Sequence, residues 1–370
     1  MHIGICAPYD LARDGGVNSH IRAQARALQT LGHTARIFGA ASAPLPRGEQ
    51  SVSGCIAPVI GGTETGMGID PRTWRRVRRL YAEERFDVIH VHEPLMPLVP
   101  WCAVLAATAP VVATFHTHRE REHRFYARFA RLLRPLLRRV TLRVAVSAAA
   151  RSTVDRYFPG QYLVVPNGIS AVEFQRAAPP PPEMSGATRV VLFVGRIEPR
   201  KGINDLIDAM SGVADACGSV RLVIVGDGPD RAAAESRARH SRADVRFAGR
   251  VADDILPAYY RAADVVCSPA IGDESFGIVL LEALAAGRPV VATDIAGYRE
   301  LALKGAADLV RLTPAADSRR LAAGIVSSLN DAELSVRART AGPAFAKRFD
   351  WQEIAGRLTA QYAALLAHAS

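Results

Sequence analysis

Short, mainly apolar runs alternate with amphipathic stretches in both halves of the chain, and this alternation constrains the fold more than any other feature. In the first half it predicts strands at 2–6, 34–38, 88–91 and 111–115, with helices at 17–31 and 97–107. In the second half it predicts strands at 190–194, 221–225, 245–247, 265–267 and 290–292, with helices at 203–210, 230–239, 255–262 and 276–286. Apolar strands that alternate with helices are typical of parallel sheets covered on both faces. The sequence therefore predicts two doubly wound α/β domains, with a ligand in the crevice at the carboxyl ends of the strands.

A proline-rich segment separates the two halves. Residues 179–182 are four consecutive prolines and Gly186 follows, so 176–187 is predicted to be a stiff linker. It would join an N-terminal domain over 1–175 to a C-terminal domain over 188–348. The remaining segment, 349–370, contains an amphipathic stretch that predicts a helix packing back on the first domain.

The chain carries excess positive charge, with 46 Lys and Arg against 36 Asp and Glu, a formal net charge of +10. Such a surface attracts phosphate groups, whether on nucleic acid, anionic lipid or a small ligand.

The number of cysteines is odd, five in all, and they lack metal-site spacing, which favours reduced thiols in the cytoplasm. The uncharged stretch 94–115 contains four prolines, so a loop, a buried helix and a core strand are predicted there instead of a membrane span.

Turns that suit phosphate follow the first strand of each half. The turn 14–17 contains Gly15 and Gly16, where glycine lets a helix N-terminus approach an anion. In the second half, Arg196, Arg200 and Lys201 lie within six residues after a strand. Arginine binds phosphate oxygens bidentately and lysine supplies a compact charge, so this turn suits a diphosphate. The alternative for the Gly15-Gly16 turn is a purely structural turn. The alternative for the basic turn is a run of solvated charges without a ligand.

The segment around Glu274 and Glu282 is the most informative one. Ser275 is predicted to be the N-cap of the next helix, so that the following backbone amides point at an anion. The two carboxylates would then lie about 12 Å apart along the axis, the span from a hexose across a diphosphate to a ribose. Glu282 lies in an apolar stretch, where a carboxylate is costly to bury without a hydroxyl or cation partner.

These motifs together resemble those of the retaining glycosyltransferases of family four, and the resemblance covers nearly the whole chain. Within that family the sequence is most similar to the members that mannosylate phosphatidyl-myo-inositol. The matching residues are Pro8-Tyr9, Gly15-Gly16-Val17 with Ser19-His20, Val91-His92-Glu93-Pro94, Val112-Ala113-Thr114-Phe115-His116-Thr117, Pro166-Asn167-Gly168, Gly195-Arg196, Glu198-Pro199-Arg200-Lys201-Gly202, Gly272, Glu274-Ser275-Phe276-Gly277 and Glu282. The resemblance implies a GT-B fold, in which two Rossmann-like domains face each other across a deep cleft.

The resemblance also implies a role for individual residues. The residues implied to bind the nucleotide-sugar donor are Gly16, Arg196, Lys201, Arg250, Val251, Glu274, Ser275, Phe276, Gly277 and Glu282. Arg196 and Lys201 would hold the diphosphate, Glu274 the sugar hydroxyls and Glu282 the ribose. His116 would lie beside sugar and acceptor and complete a catalytic set with Glu274, Arg196 and Lys201. Acceptor contacts would come from Tyr9, Asn18 and His116.

The reaction that this resemblance implies is transfer of mannose from GDP-mannose to phosphatidyl-myo-inositol at the cytoplasmic face of the cell membrane. The alternative is a family-four enzyme that uses UDP-glucose or UDP-N-acetylglucosamine and a different lipid, or a soluble acceptor such as inositol phosphate. Fixed cations and helix N-termini stabilise negative charge on a leaving diphosphate, so no cofactor and no metal are expected. The nucleotide sugar is a substrate.

An arginine-rich segment suggests how the chain would meet a membrane. Residues 119–143 contain nine arginines, and apolar residues recur at helical spacing between 125 and 140. A helix with one apolar face and a basic remainder is typical of anionic membrane surfaces. The predicted lipid contacts are Arg124, Arg128, Arg131, Arg134 and Arg138. A helix docked on the first domain, interrupted at Pro135, is the alternative, and the apolar face beside the arginines argues against nucleic acid as the partner.

Overall fold

The structure is a computed structural model that describes residues 1–13, 15–56, 59–60, 63–64, 66–186 and 188–369. Asp14 of the predicted phosphate turn, Ala187 of the predicted linker and Ser370 of the terminal segment lie outside the described residues. The chain divides into two units: Met1–Gly168 together with Trp351–Ser370, and Ile169–Asp350.

The strands and helices that the hydrophobic pattern predicts occur in the predicted order, and further strands and helices lie between and after them. The strands are β1 His2–Cys6, β2 Thr34–Ala40, β3 Glu49–Ser53, β4 Cys55–Ile56, β5 Val59–Ile60, β6 Thr63–Glu64, β7 Met67–Gly68, β8 Val88–His92, β9 Val111–Phe115, β10 Leu142–Ala145, β11 Leu163–Val164, β12 Arg189–Val194, β13 Val220–Val225, β14 Asp244–Gly249, β15 Val265–Ser268, β16 Val290–Thr293 and β17 Val310–Thr313. The α-helices are α1 Gly16–Thr30, α2 Thr73–Glu84, α3 Val99–Leu105, α4 Arg124–Leu137, α5 Ala148–Asp155, α6 Ile203–Cys217, α7 Arg231–His240, α8 Leu256–Ala262, α9 Ile278–Ala285, α10 Ala296–Leu301, α11 Ser318–Asn330, α12 Ala332–Lys347 and α13 Trp351–Ala369.

The first unit is built on a parallel sheet with the strand order β11-β10-β9-β8-β1-β2-β3. Its strands β8 and β9 are buried along their whole length, and besides apolar residues they carry the buried polar side chains of His90, His92 and Thr114. Helix α13 belongs to this unit, where Trp351, Leu358 and Tyr362 pack with Ile3 and Ile21. The carboxyl ends of the parallel strands β8 and β9 lie side by side, so the residues that follow the two strands lie close together.

The second unit is built on a parallel sheet with the order β14-β13-β12-β15-β16-β17. The predicted domain end at 175 and the linker at 176–187 do not match it, because Phe174 and Met184 are buried in this unit's core. Ile169 also forms a bridge to Asp350. The units therefore divide after Gly168 and after Asp350, and the described part of the proline-rich segment lies within the second unit.

Helix α4 carries the predicted membrane segment and is docked on the first unit by one face. Tyr126, Leu133, Leu136 and Leu137 are buried in that unit's core. The five predicted lipid-contact arginines are exposed, as are the apolar side chains of Phe129 and Leu132. Pro135 does not interrupt the helix, which continues to Leu137.

Among the described residues, no helix is long and apolar enough to span a bilayer. The stretch 94–115 contains helix α3 and strand β9.

Candidate functional site

A compact group of charged side chains gathers around Glu274 in the second unit. Strands β12 and β15 are neighbours in the parallel sheet, so the turns that follow them meet at one edge. The turn after β12 supplies Lys201, whose Nζ lies 2.7 Å from Glu274 Oε1, and Arg200, whose Nη1 donates to the same oxygen. Arg200 also reaches Glu198, with 2.6 Å between Nη2 and Oε1. The predicted basic turn and the predicted sugar-binding acid are thus brought together.

Arg200 links the two acids of this group, a contact that the sequence did not predict, although Arg200 belongs to the predicted basic turn. Burial alone would lower the pKa of its guanidinium, but Glu274 and Glu198 outweigh burial and raise the pKa. Arg196, which was predicted, has Nε 3.3 Å from Glu198 Oε2 and is half-exposed. Three cations, Arg196, Arg200 and Lys201, face the two acids Glu198 and Glu274, which leaves one positive charge in excess. The basic run placed Arg200 in the predicted phosphate turn, but no local pattern indicates its contact with Glu274, 74 positions away.

The predicted N-cap at Ser275 is wrong. Helix α9 begins at Ile278, and its N-cap is Gly277 with a φ of +90°. A Cβ at Gly277 would lie 2.8 Å from the ring of Tyr298, so glycine is needed both for the turn and for the space. Because 274–277 is not helical, the separation of about 12 Å expected from helical rise does not apply. Phe276, predicted to contact the donor, has its side chain buried in the core of this unit.

Glu282 lies inside α9 and has the hydroxyl partner that its apolar surroundings require. The Tyr260 hydroxyl donates to Oε2 at 2.6 Å. Burial raises the pKa of Glu282 to about 7, although the bond from Tyr260 lowers it and the nearby Asp253 adds to the rise. The predicted base-contact residues lie on the loop after β14, where Arg250 is exposed and Val251 packs partly against the core.

The raised pKa of Glu282 predicts a pH-dependent stability. The folded-state pKa of about 7 exceeds the unfolded value, so the stabilising contribution is complete below about pH 4.3 and is lost as pH rises through 7. Glu282→Gln keeps an acceptor for Tyr260 but does not titrate. Its unfolding free energy, measured relative to that of the native chain, should therefore rise by roughly 3 kcal/mol from pH 5 to pH 8. Urea denaturation of both proteins at pH 5, 6, 7 and 8 measures this. Glu333→Gln, at an exposed position, is the control, and a constant difference across pH contradicts the expectation.

Three histidines form the second candidate site, in the first unit. His92 ends β8, His116 follows β9 directly, and His20 lies on α1. His92 Nδ1 lies 2.8 Å from His116 Nε2, and the ring of His20 is 4.8 Å from the rings of both His116 and Trp351. All three imidazoles are buried. Only His116 was predicted; His20 and His92 occur in the matching motifs but nothing in their spacing indicates that the rings meet.

Burial keeps these imidazoles uncharged. It lowers the pKa of His20 to about 4, with Asn167 and Gln24 opposing the shift, and the pKa of His90 to about 3. Burial, followed by the neighbouring histidines, also lowers the pKa of His92 and His116 far below the ordinary value. Charged imidazolium is therefore excluded from the cluster at neutral pH.

The same three histidines are the group that could hold a metal ion among the described residues, since their ligand atoms lie within 4.8 Å of one another. A tetrahedral zinc ion places two ligand nitrogens about 3.3 Å apart. The 2.8 Å between His92 Nδ1 and His116 Nε2 is a hydrogen-bond distance instead. The arrangement fits a hydrogen-bonded imidazole pair better than two ligands of one ion.

Glu93 holds the backbone at His116, and no role was predicted for this carboxylate. Its Oε1 accepts the backbone N–H of His116 at 2.7 Å and that of Thr117 at 2.8 Å, and the Thr117 hydroxyl at 2.8 Å. Glu93 is buried and has a φ of +44°. Burial raises the pKa of its carboxyl despite these bonds. An acid directly after a buried strand was the available signal.

The other predicted residues of the first unit differ in what they contact. Tyr9 lies near Glu93 and Arg119; burial and then Glu93 raise the pKa of its phenol, while Arg119 opposes the shift. Asn18 is buried, and its Nδ2 donates to the carbonyls of Asp10 at 2.8 Å and Arg13 at 2.9 Å. Its amide nitrogen thus holds the loop before α1. Gly16 begins α1 and is exposed, with nothing within 4 Å of an added Cβ.

The sequence matches two family models. Residues 14–172 match one described as Glycosyltransferase Family 4, and residues 188–331 match one described as Glycosyl transferases group 1. The chain is 37% identical to a phosphatidyl-myo-inositol mannosyltransferase of Mycobacterium leprae, over 98% of the chain and 96% of the relative. It is 36% identical to the protein of the same name from Mycobacterium tuberculosis, with the same coverage.

Solved structures share the fold at lower identity. HepE from Anabaena, in complex with UDP and glucose, has a TM-score of 0.77 and 22% identity over 98% of this chain and 100% of that one. Sucrose-phosphate synthase from Thermosynechococcus elongatus has a TM-score of 0.74 and 22% identity, covering 100% of this chain and 99% of that one. At this identity the likeness concerns the fold alone.

Proposed function

Since this chain belongs to glycosyltransferase family 4 and is a hexosyltransferase of the GT-B fold, we propose that it transfers mannose from GDP-mannose to phosphatidyl-myo-inositol with retention at the anomeric carbon. The relatives named phosphatidyl-myo-inositol mannosyltransferase, similar along 98% of the chain, support the sugar and the acceptor. The proposed place of reaction is the cytoplasmic face of the membrane, with the protein attached peripherally.

The observation that carries the proposal is the charged group around Glu274. Breaking the bond from the anomeric carbon leaves negative charge on the nucleotide diphosphate, and cations held in place stabilise that charge more in the transition state than in the substrate. Lys201 and Arg200 are held by Glu274 at the carboxyl edge of a parallel sheet, where α/β folds bind ligands. The cations supply the positive charge that the step needs, so we propose no metal or cofactor.

In this proposal the carboxylate of Glu274 has two tasks. It orients the Lys201 and Arg200 head groups toward the diphosphate, and it accepts hydrogen bonds from hydroxyls of the transferred sugar. Glu282 accepts a hydrogen bond from the ribose. The incoming inositol hydroxyl replaces the diphosphate on the same face of the sugar, and its proton leaves with the departing phosphate oxygen.

Two measurements test the donor and the acceptor. Thermal shifts with GDP, UDP, GDP-mannose, UDP-glucose and UDP-N-acetylglucosamine should single out the guanosine compounds; a donor at 100 times its Kd stabilises by about 2.7 kcal/mol. Release of GDP from GDP-mannose should then require phosphatidylinositol vesicles. Turnover only with a uridine donor, or with inositol phosphate in place of lipid, contradicts the proposed substrates. Release of no nucleotide diphosphate from any of these donors contradicts the proposed function.

Membrane attachment is proposed for the exposed face of α4. Each arginine near an anionic surface contributes about 1 kcal/mol of attraction, so Arg128→Gln/Arg131→Gln should weaken binding to phosphatidylinositol-containing vesicles by about thirtyfold at low salt. Co-sedimentation measures the change. The matched control is Arg319→Gln/Arg320→Gln, two exposed positions on α11. If both double variants weaken vesicle binding equally, net charge and not α4 is the cause. If the native chain does not bind vesicles, the result counts against a lipid acceptor.

A further inference from the structure

The contact between His92 and His116 is an in-plane hydrogen bond between two uncharged rings. The nitrogens are 2.8 Å apart, the ring centroids are 5.1 Å apart and the planes differ by 28°. Because the centroid separation exceeds the nitrogen separation by about two ring radii, the rings meet edge to edge, in the alignment that a hydrogen bond needs. One ring must donate a proton and the other must accept it.

The surroundings of His92 decide which ring donates. A neutral imidazole carries one N–H and one bare nitrogen. The Nε2 of His92 is buried and has no hydrogen-bond partner among the described residues. A buried N–H without an acceptor is rarer and costlier than a buried lone pair without a donor. Either direction of the bond leaves one N–H without a partner among the described residues, at Nε2 of His92 or at Nδ1 of His116. His92 is fully buried whereas His116 is 8% exposed, so the unpartnered N–H costs less on His116. The proton of His92 is therefore on Nδ1, which donates to Nε2 of His116, and the proton of His116 is on its other nitrogen, Nδ1.

We infer that His92 is a positioning residue that holds His116 in the Nδ1–H tautomer, so that His116 acts in the reaction as a neutral hydrogen-bond donor and not as a base. The catalytic part of this inference rests on the proposed function. The tautomer itself rests on the geometry and burial of the two rings.

The ring of His92 is itself held rigidly. The ring of His90 lies parallel to it, with centroids 4.5 Å apart and planes 8° apart. His90 is fixed at both nitrogens, by the Tyr362 hydroxyl at 2.5 Å from Nδ1 and the Thr114 hydroxyl at 2.6 Å from Nε2. His92 therefore cannot turn away without displacing a ring that α13 and β9 hold in place, and the tautomer of His116 is preorganised.

In this tautomer, His116 has a fixed N–H donor at Nδ1, at the edge of the histidine cluster. Its side chain is 8% exposed, and its Nδ1 makes no hydrogen bond to any residue that the structure describes. That N–H can donate to an oxygen lone pair, on the transferred sugar or on the acceptor. Accepting a proton at Nε2 would break the bond from His92 and create a buried imidazolium beside His20.

The tautomer is tested by nitrogen NMR of the full chain labelled with 15N-histidine. The His116 signals, assigned by their loss in His116→Gln, should show a protonated Nδ1 and a bare Nε2 in the absence of ligand. A protonated Nε2 overturns the inference. This result does not depend on turnover, so it stands or fails separately from the proposed function.

Variants of His92 test the positioning role. His92→Asn keeps an N–H donor where Nδ1 lies, whereas His92→Leu removes it. His92→Leu should lower kcat by up to about a hundredfold with the donor KM within twofold, and His92→Asn should recover most of the rate. His240→Leu, at an exposed position on α7, is the control. Equal loss in both His92 variants, or a change in KM alone, overturns the role.

Hydrolysis of the donor by water identifies the oxygen that His116 contacts. If His92→Leu slows hydrolysis and transfer equally, the N–H serves the transferred sugar. If only transfer slows, it serves the acceptor. Either result supports a donor role, and no change in either reaction contradicts it.

Discussion

Glu274→Ala should lower the rate of transfer by about a thousandfold and leave nucleotide diphosphate binding intact. The carboxylate contacts Lys201 and Arg200, and in the proposed reaction it also binds the sugar where charge develops. Loss of one such preorganised group lowers kcat by about a thousandfold. The nucleotide diphosphate, in contrast, loses a neighbouring negative charge, so its affinity should stay equal or increase up to about tenfold.

Single-turnover transfer assays and calorimetric titration with GDP measure the two effects on the same preparation. Glu83→Ala is the matched control, because Glu83 forms an exposed ion pair with Arg79 on α2. Its removal should change neither value. Unchanged turnover in Glu274→Ala would refute the role given to Glu274, and a loss of GDP affinity would show that the acid supports the diphosphate site chiefly as structure.

Lys201→Met should weaken GDP binding and transfer together. Methionine keeps most of the side-chain volume and removes the ammonium group. A hydrogen bond to a charged group is worth about 1.5–3 kcal/mol, so GDP affinity should decrease by about tenfold to a hundredfold. The rate constant kcat/KM for the donor should decrease by about a thousandfold, because the lost cation faces the charge of the leaving group. Arg200 still pairs with Glu274, so the fold should be retained.

Lys347→Met provides the control, because Lys347 is an exposed lysine near the end of α12 in the same unit. The Tm of each variant without ligand checks that the unit is folded, and GDP titration and donor kinetics give the two effects. The pair of variants separates the two roles: Glu274→Ala should keep GDP binding and Lys201→Met should lose it. GDP affinity that is unaffected in Lys201→Met contradicts the assignment of Lys201 to the diphosphate.

Local sequence patterns predicted the bounds of several strands and helices closely, although they missed others such as β10, α5 and β17. Strands β1 and β9 have the predicted bounds, and α6 begins at the predicted Ile203 but extends seven residues further, to Cys217. Such patterns succeed because a strand buried on both faces is apolar at most of its positions. The comparisons confirm the fold class that the family resemblance implied.

The errors occurred where contacts between distant segments decide the conformation. Ser275 has the chemistry of an N-cap, but the turn at Gly277 against Tyr298 begins α9 two residues later than predicted. The proline-rich segment has the composition of a linker, but Met184 is buried in the second unit. Propensity describes a residue and its neighbours along the chain, whereas these outcomes depend on residues that only folding brings near.

The sequence by itself determined that parallel sheets form in both halves and which turns carry the candidate ligand-binding residues, because hydrophobic period and the residues at strand ends are local properties. Only the tertiary structure decided how these residues pair: Arg200 with Glu274 across 74 positions, Tyr260 with Glu282 across 22 and His92 with His116 across 24. These pairings set the charge of each group and the place of each proton. Hydrogen bonds and ion pairs act over a few ångströms in space, and distance along the chain does not reveal that proximity.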